Sequence, residues 1–562
     1  MSPRLTNRRI RLLLALFALA FAVTFLRAFW LQGVRAGTLA ARATNQHREV
    51  VTIPASRGTI YDRTGTPLAL AEDAVTVYAN PRHVSNPRKA AVEASRVLAL
   101  DPKATAALYA RLADRTRGFV YVARKVDPDV GAAIERLHLP GVGVYHEERR
   151  TYPQGTVAAQ VLGYAGVDNT GLAGVELGLE RYLAGTPGKQ TIVKDPFGKV
   201  IDVPQSTPER PGRDVVLTLD HTIQADAEAV LRQTVRSWHA RAATAVVLDP
   251  RTGAILAMAG APSFDANHYP EAPRALQRVR AVTDTYEPGS TYKLVTVAGA
   301  LSEQLVSPES TFTLPYGIRV ADRVVHDAEP RGTETMSVAQ ILSRSSNVGA
   351  ITLAQLLGRD RLSRWISRFG FGHTTGIDFP GESPGIVLPP ERWSGSTIGN
   401  VPIGQGIAVT AIQMASAYAA VANGGVWTRP HLVDRVVGVP RRRPVRRRIV
   451  SSETAAQLNT MLRLVVTEGT GTLAAVPGYV VAGKTGTAAK PDPTGGYSDT
   501  RYVASFVGFV PATKPRLVIL VAIDEPKGAI WGGVVAAPAF AEIAKFALQY
   551  LEVAPDDGAR PS

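Results

Sequence analysis

Glu287-Pro288-Gly289-Ser290-Thr291-Tyr292-Lys293 sets a serine and a lysine three residues apart, one turn from each other on a single helix face. A serine hydroxyl attacks poorly until a base takes its proton, and a lysine amine can be that base once its pKa is lowered. Pro288 and Gly289 suit a sharp entry into the helix. Ser290 then sits at the N-terminus, where free backbone N–H groups favour developing negative charge. Taken alone, Ser-x-x-Lys more often marks a helix cap with a solvated lysine. Here Ser290 is the only serine followed by a lysine at that spacing.

Two further motifs follow in order. Ser345-Ser346-Asn347 comes after a helical pattern at 338–342, and Lys484-Thr485-Gly486-Thr487 after the apolar residues 479–482. Each pattern occurs once, and together they outweigh the reading of each as a cap or a strand end. Their chemistry is coherent. Ser290 would attack a carbonyl and form an acyl-enzyme, with Lys293 taking its proton. Ser345 could relay that proton to the leaving amine, while Asn347 holds the substrate's amide backbone. Lys484 would offer positive charge to a substrate carboxylate, flanked by the Thr485 and Thr487 hydroxyls. Gly486, without a side chain, would let substrate backbone approach. Backbone N–H groups of Ser290 and Thr487 would form an oxyanion hole, where one lost donor costs about 3 kcal/mol of barrier. Lys293 and Ser345 are both candidates for carrying the proton, and the sequence does not choose between them.

At 562 residues the chain needs more than one domain, and 45% hydrophobic with 20% charged residues describes a globular protein with large cores. The absence of cysteine removes disulfides and thiol chemistry, and the 10 scattered histidines show no metal-ligand spacing. No cofactor or metal is expected. The net charge of +15 is mostly arginine, part of it in Arg441-Arg442-Arg443-Pro444-Val445-Arg446-Arg447-Arg448. A solvated loop is the plainer reading of that run than an anionic partner, and no nucleic-acid module accompanies it.

Residues 12–31 form an apolar run interrupted only by Arg27, about 30 Å of helix and enough to span a bilayer. Arg4, Arg8, Arg9 and Arg11 precede it and place the N-terminus in the cytoplasm. The run is long for a cleaved signal peptide and lacks a small-x-small site directly after it, so an anchor is expected. The expected organisation is a cytoplasmic tail at 1–11, a transmembrane anchor at 12–32, a mixed pedestal domain at 38–212, a catalytic domain at 213–551 and a C-terminal tail at 552–562. Residues 203–213, rich in proline and polar side chains, read as a linker. Apolar runs at 243–248 and 254–259, and again at 503–510 and 517–523, signal two hairpins, with helices at 222–238 and 537–551. Strands at both ends around a helical middle imply an α+β domain whose antiparallel sheet joins the two termini. Arg150-Thr151-Tyr152-Pro153-Gln154-Gly155 and Gly171-Leu172-Ala173-Gly174-Val175-Glu176 read as turn punctuation.

The ordered set Ser-x-x-Lys, Ser-x-Asn, Lys-Thr-Gly resembles the signature of penicillin-binding proteins and serine β-lactamases. Along nearly its full length the chain is similar to the class B penicillin-binding proteins, monofunctional peptidoglycan D,D-transpeptidases. Arg57-Gly58-Thr59-Ile60-Tyr61-Asp62-Arg63 resembles a motif of that family's pedestal domain. The Glu287–Lys293 stretch, Gly404-Gln405-Gly406-Ile407-Ala408-Val409-Thr410 and Ala482-Gly483-Lys484-Thr485-Gly486-Thr487-Ala488 resemble the cell-division, FtsI-type subgroup. The resemblance implies a stem peptide ending in D-Ala-D-Ala as substrate and acylation of Ser290 by penicillins. It also implies crosslinking after loss of D-alanine, with a possible carboxypeptidase side activity, and an FtsW-type glycosyltransferase as partner. Attachment to the inner membrane by one helix, with the catalytic domain outside, follows from the same likeness. An elongation-specific class B enzyme is the nearest alternative. A membrane-anchored β-lactam sensor or resistance protein is another, disfavoured by a cytoplasmic tail of about ten residues. No Glu-x-x-x-Leu-Asn segment of the kind class A β-lactamases use for deacylation can be placed.

Overall fold

The computed structural model describes residues 3–38, 48–194, 200–441 and 443–556. Arg442 of the arginine run, residues 39–47 and 195–199 of the expected pedestal, and the two chain ends (1–2, 557–562) lie outside them. The chain divides into two compact units, one of residues 1–56 and 185–211, the other of 57–184 and 212–562.

In the first unit, helix Pro3–Phe29 runs into a π-helical turn at Trp30–Val34. Its stretch Asn7–Val34 is long and apolar enough to cross a membrane. Leu13, Phe17, Phe21 and Phe25 are all exposed on it, as suits a helix bathed in lipid and not in water. The same unit holds a three-stranded antiparallel sheet in the order Arg48–Ile53, Gly188–Lys194, Val200–Thr207. Residues 203–207, expected as linker, therefore belong to an edge strand. Pro204 fits there because an edge strand leaves some N–H groups outside the ladder, so a missing one costs little.

The first long strand of the second unit, Pro67–Ala79, pairs antiparallel with both Val142–Thr151 and Val120–Val126. Helices Pro87–Val97 and Pro102–Ala113 start on proline, with Asn86 and Asp101 accepting the N–H of Lys89 and Ala104. They cover the sheet through Ala91, Leu108 and Leu112.

The two segments read as turn punctuation meet in a buried ion network. Glu176, fully buried, accepts from Arg57 Nε at 2.7 Å, Arg150 Nε at 2.6 Å and the Tyr152 hydroxyl at 3.2 Å. Burial then holds the Tyr152 hydroxyl well above its ordinary pKa. Three residues on from Arg57, Ile60–Tyr61 pairs in parallel with Val215–Leu217. Asp62 closes the following turn by accepting from Thr64 and Thr66, and also takes the ring and backbone N–H of His221.

The segment after residue 212 is built on a five-stranded sheet in the order Ile255–Ala261, Ala242–Leu248, Leu517–Asp524, Tyr497–Val510, Ala482–Pro491, antiparallel throughout. It joins strands from both ends of the segment, as the two hairpin signals imply. Its central strands are apolar on both faces because both are covered. Ala243, Ala245, Val247, Ile519 and Val521 pack towards helices His221–Ser237 and Ala537–Tyr550. Val246, Leu248, Val518 and Leu520 face helices Lys293–Ser302 and Ala411–Ala422. Strand Ala482–Pro491 is the sheet edge, and it carries Lys484 to Thr487.

The arginine run is not a free loop in its second half. Arg446–Arg448 forms a short exposed strand paired with Val426–Thr428, and the Arg447 guanidinium lies over the Trp427 ring.

Candidate active site

Ser290 lies in a 3₁₀ turn, Gly289–Tyr292, that runs directly into helix Lys293–Ser302. In a 3₁₀ turn residues i and i+3 eclipse, which aligns Ser290 with Lys293 more closely than an α-helical turn would. The turn is seated by glycine contacts. Gly404, at φ +79°, is pressed against Gly289, where an added Cβ would lie 2.1 Å from the Gly289 carbonyl oxygen. Glu287 pins the same loop by accepting from the Gly406 N–H at 3.0 Å and the Tyr497 hydroxyl at 3.1 Å. Burial raises its pKa.

The structure brings all three motifs to one cleft of about 680 Å³, lined among others by Ser290, Ser345, Asn347, Thr485 and Thr487. Lys293 and Lys484 lie beneath this lining, each with no solvent exposure. Lys293 Nζ donates to the Ser345 carbonyl at 2.5 Å and to Asn347 Oδ1 at 2.7 Å, with Ser345 Oγ at 3.3 Å. Lys484 Nζ reaches Ser345 Oγ at 3.0 Å and Thr485 Oγ1 at 3.2 Å. The Ser345 hydroxyl thus stands between two buried amines. Ser290 Oγ, half-exposed at the mouth, makes no hydrogen bond among the described residues.

Two amines packed this closely without solvent cannot both keep a proton cheaply. Burial brings Lys293 down to about 7, against the pull of the Asp327 carboxylate. Burial and the neighbouring Lys293 hold Lys484 well below its ordinary value too. A neutral Lys293 has two N–H groups, both engaged by carbonyl oxygens, and its lone pair is left free as a base. Lys484 is held towards neutrality rather than as a standing positive charge. An incoming carboxylate would restore its proton.

Gly486 has a second use beyond the open approach inferred from sequence. A Cβ there would lie 2.4 Å from Ser505 Oγ, 2.8 Å from the Pro288 carbonyl oxygen and 2.9 Å from Thr291 Cγ2. The missing side chain lets the edge strand pack onto the Ser290 turn. Thr487 Oγ1 beyond it accepts from the Gly532 N–H at 3.1 Å.

Asp327 and Arg331 line the cleft and were not singled out by sequence reasoning. Asp327 accepts from the Ser346 hydroxyl and from the N–H groups of Asn347 and Val348, and pairs with Arg331 at 2.6 Å. Sequence offered no signal for this. Helix caps are recognised by neighbours one to three residues away, whereas this carboxylate comes from the end of another hairpin.

Among the described residues, one group has metal-ligand proximity: Asp62, Asp220 and His221. It lies apart from the cleft residues in the sequence, and its carboxylates already accept from Thr64, Thr66, His221 and Arg63.

With this geometry in view, the likeness to known proteins is specific. Residues 243–545 match the penicillin binding protein transpeptidase domain, and residues 52–217 the penicillin-binding protein dimerisation domain. The chain is 34% identical over 98% of its length to the peptidoglycan D,D-transpeptidase FtsI of Escherichia coli, covering 92% of that protein. It is equally 34% identical, over 98% of its length, to stage V sporulation protein D of Bacillus subtilis, covering 86% of it. Among solved structures, penicillin binding protein 3 of Mycobacterium tuberculosis in complex with aztreonam superposes with a TM-score of 0.70 at 32% identity. That match covers 90% of this chain and 98% of the other.

Proposed function

The chain belongs to the class B penicillin-binding proteins, the peptidoglycan D,D-transpeptidases, and on that premise we propose that Ser290 is its nucleophile, Lys293 its base and Ser345 its proton relay. Ser290 Oγ bonds to the penultimate D-alanine carbonyl carbon of a stem peptide while its proton passes to Lys293. The C–N bond to the terminal D-alanine then breaks, and the departing amine takes a proton through Ser345. An amine from a neighbouring stem peptide opens the acyl-enzyme, forming the crosslink and releasing Ser290 with its proton restored. Asn347 holds the donor's amide backbone. Lys484, Thr485 and Thr487 receive its carboxylate, and Gly486 keeps the edge strand close to the turn. The N–H groups of Ser290 and Thr487 hold the developing oxyanion.

The observation that carries this reading is the Ser345 hydroxyl, at 3.3 Å from one buried lysine and 3.0 Å from the other. That contact supports a proton passing from the base, through Ser345, to the leaving group. Labelling with a fluorescent penicillin tests it. The wild type takes label and Ser290→Ala does not; an unlabelled wild type, or equal labelling of both, overturns the assignment.

The finer role we assign is septal synthesis during division, supported by the likeness to FtsI and by Glu287-Pro288-Gly289 ahead of the nucleophile. The partner is an FtsW-type glycosyltransferase, met through the anchor and the pedestal at 38–212, with the transpeptidase domain at 213–551. The basic residues before the anchor support a cytoplasmic N-terminus and a catalytic domain outside the inner membrane. A fluorescent fusion concentrated at midcell is the expected outcome. Signal spread along the lateral wall would transfer the protein to elongation.

A further inference from the structure

We propose that Asp327 and Arg331 are a positioning pair for the transpeptidation site, holding the Ser345-Ser346-Asn347 turn in the one conformation that sets the Ser345 hydroxyl between the two lysines. The pair acts through this turn, so the proposal rests on the roles given above to Ser290, Lys293 and Ser345.

Ser345 has φ +63°, in the left-handed region that a non-glycine residue seldom occupies. Such a conformation persists only when the surroundings over-determine it. Here they do. Asp327 Oδ1 accepts from the N–H groups of both Asn347 and Val348, the first two residues of helix Asn347–Leu357, while Ser346 caps Gly349. The Ser346 hydroxyl donates to the same carboxylate, at 3.0 Å to Oδ2. The helix start immediately after Ser345 is therefore tied to one remote side chain.

Arg331 holds that side chain in turn. Its Nε and Nη2 both donate to Asp327 Oδ2, at 2.9 and 2.6 Å. Its remaining N–H groups go to the carbonyls of Leu314, Gly332 and Pro315. All five donors are engaged with the protein, and both Asp327 oxygens as well. Neither residue has capacity left for substrate, which separates a positioning role from a catalytic one. Leu314 and Pro315 belong to the hairpin region that precedes the turn, so Arg331 also transmits that region's position to Ser345. Asp327 itself is nine-tenths buried.

The pair also sets the charge around the base. The charged groups facing Lys293 are Lys484 from the edge strand and Asp327 from the loop after strand Arg323–His326, with Arg331 directly behind Asp327. Asp327 favours the protonated form of Lys293, and Arg331 partly cancels it. Removing one or the other charge must therefore move the titration in opposite directions.

The test is the second-order rate of acylation by a fluorescent penicillin from pH 5.5 to 9, on the full chain in detergent. The arms are wild type, Asp327→Asn, Arg331→Met, Arg331→Lys and Ser290→Ala. Wild-type acylation rises with pH around a midpoint near 7. Asp327→Asn moves the midpoint down by about 1 unit and Arg331→Met moves it up by a similar amount. The plateau rate falls roughly 10²-fold in Arg331→Met, the scale of a displaced reacting group. Arg331→Lys keeps the charge but loses the fork, so its midpoint stays with the wild type while its rate drops. Both Arg331 variants are checked for a cooperative melt, and Arg331→Lys carries the test if Arg331→Met does not fold. Equal loss of rate at every pH with unmoved midpoints, or shifts in the same direction, overturns the pair. Failure of the wild type to label overturns the site assignment and the pair with it, so the two failures are distinguishable.

Discussion

Ser345 places one hydroxyl between two buried lysines, and its backbone shows what holding it there requires. A left-handed residue with a Cβ stores on the order of 1–2 kcal/mol, and glycine removes that strain. Ser345→Gly is therefore expected to melt no lower than the wild type, yet to lose roughly 10²–10⁴-fold in acylation, the range of a lost proton-transfer group. Melting temperature and penicillin labelling on the same preparation check both halves. Lys293 makes a second prediction, on stability. Its folded pKa, about 7, lies below the 10.5 of a free lysine. Between those values the unfolded chain holds a proton that the folded chain does not. Stability attributable to this group therefore rises with pH across that window and is lowest below it. Denaturant unfolding at pH 7 and pH 9.5 should show the wild type gaining on Lys293→Met; no relative gain would mean that Lys293 keeps its proton in the folded state.

At the level of elements, the site is a contact between the sheet's edge strand and the turn before helix Lys293–Ser302. That contact is possible because Gly486 leaves room for Ser505, Pro288 and Thr291. Gly486→Ala places a methyl where atoms already stand, an overpacking of about 1–3 kcal/mol, and pushes the Ser290 turn away from Thr487. We expect both a lower melting temperature and weaker penicillin labelling. Retention of full labelling at a lowered melting temperature would show that the turn adapts without moving Ser290. The three motifs were legible because each carries its chemistry within three or four residues. Asp327 and Arg331 were not, since their partners lie in other elements. The edge strand Val200–Thr207 was missed for a related reason: proline and polar residues mark linkers and solvent-facing edge strands alike.

Over the whole molecule, the buried network of Arg57, Arg150, Tyr152 and Glu176 stands far in sequence from Ser290 but within the same compact unit. Glu176→Ala leaves the buried Arg150 guanidinium without its carboxylate and Arg57 with Glu180 alone, a loss of about 3–5 kcal/mol. If the unit unfolds cooperatively, penicillin binding and global structure disappear together at a lower temperature. Two separated transitions would instead make the segment 57–184 an independent module. Sequence by itself determined the long apolar N-terminal helix, the α+β class, the two sheet hairpins and the three motifs, because periodicity, apolar runs and short motifs are local properties of the chain. Only the tertiary structure decided that two fully buried lysines share one serine hydroxyl, that Asp327 shapes the turn carrying it, and that segments read as turns form an ion network. Each of these depends on burial and on distances between residues far apart in the chain, and those are set when the chain packs.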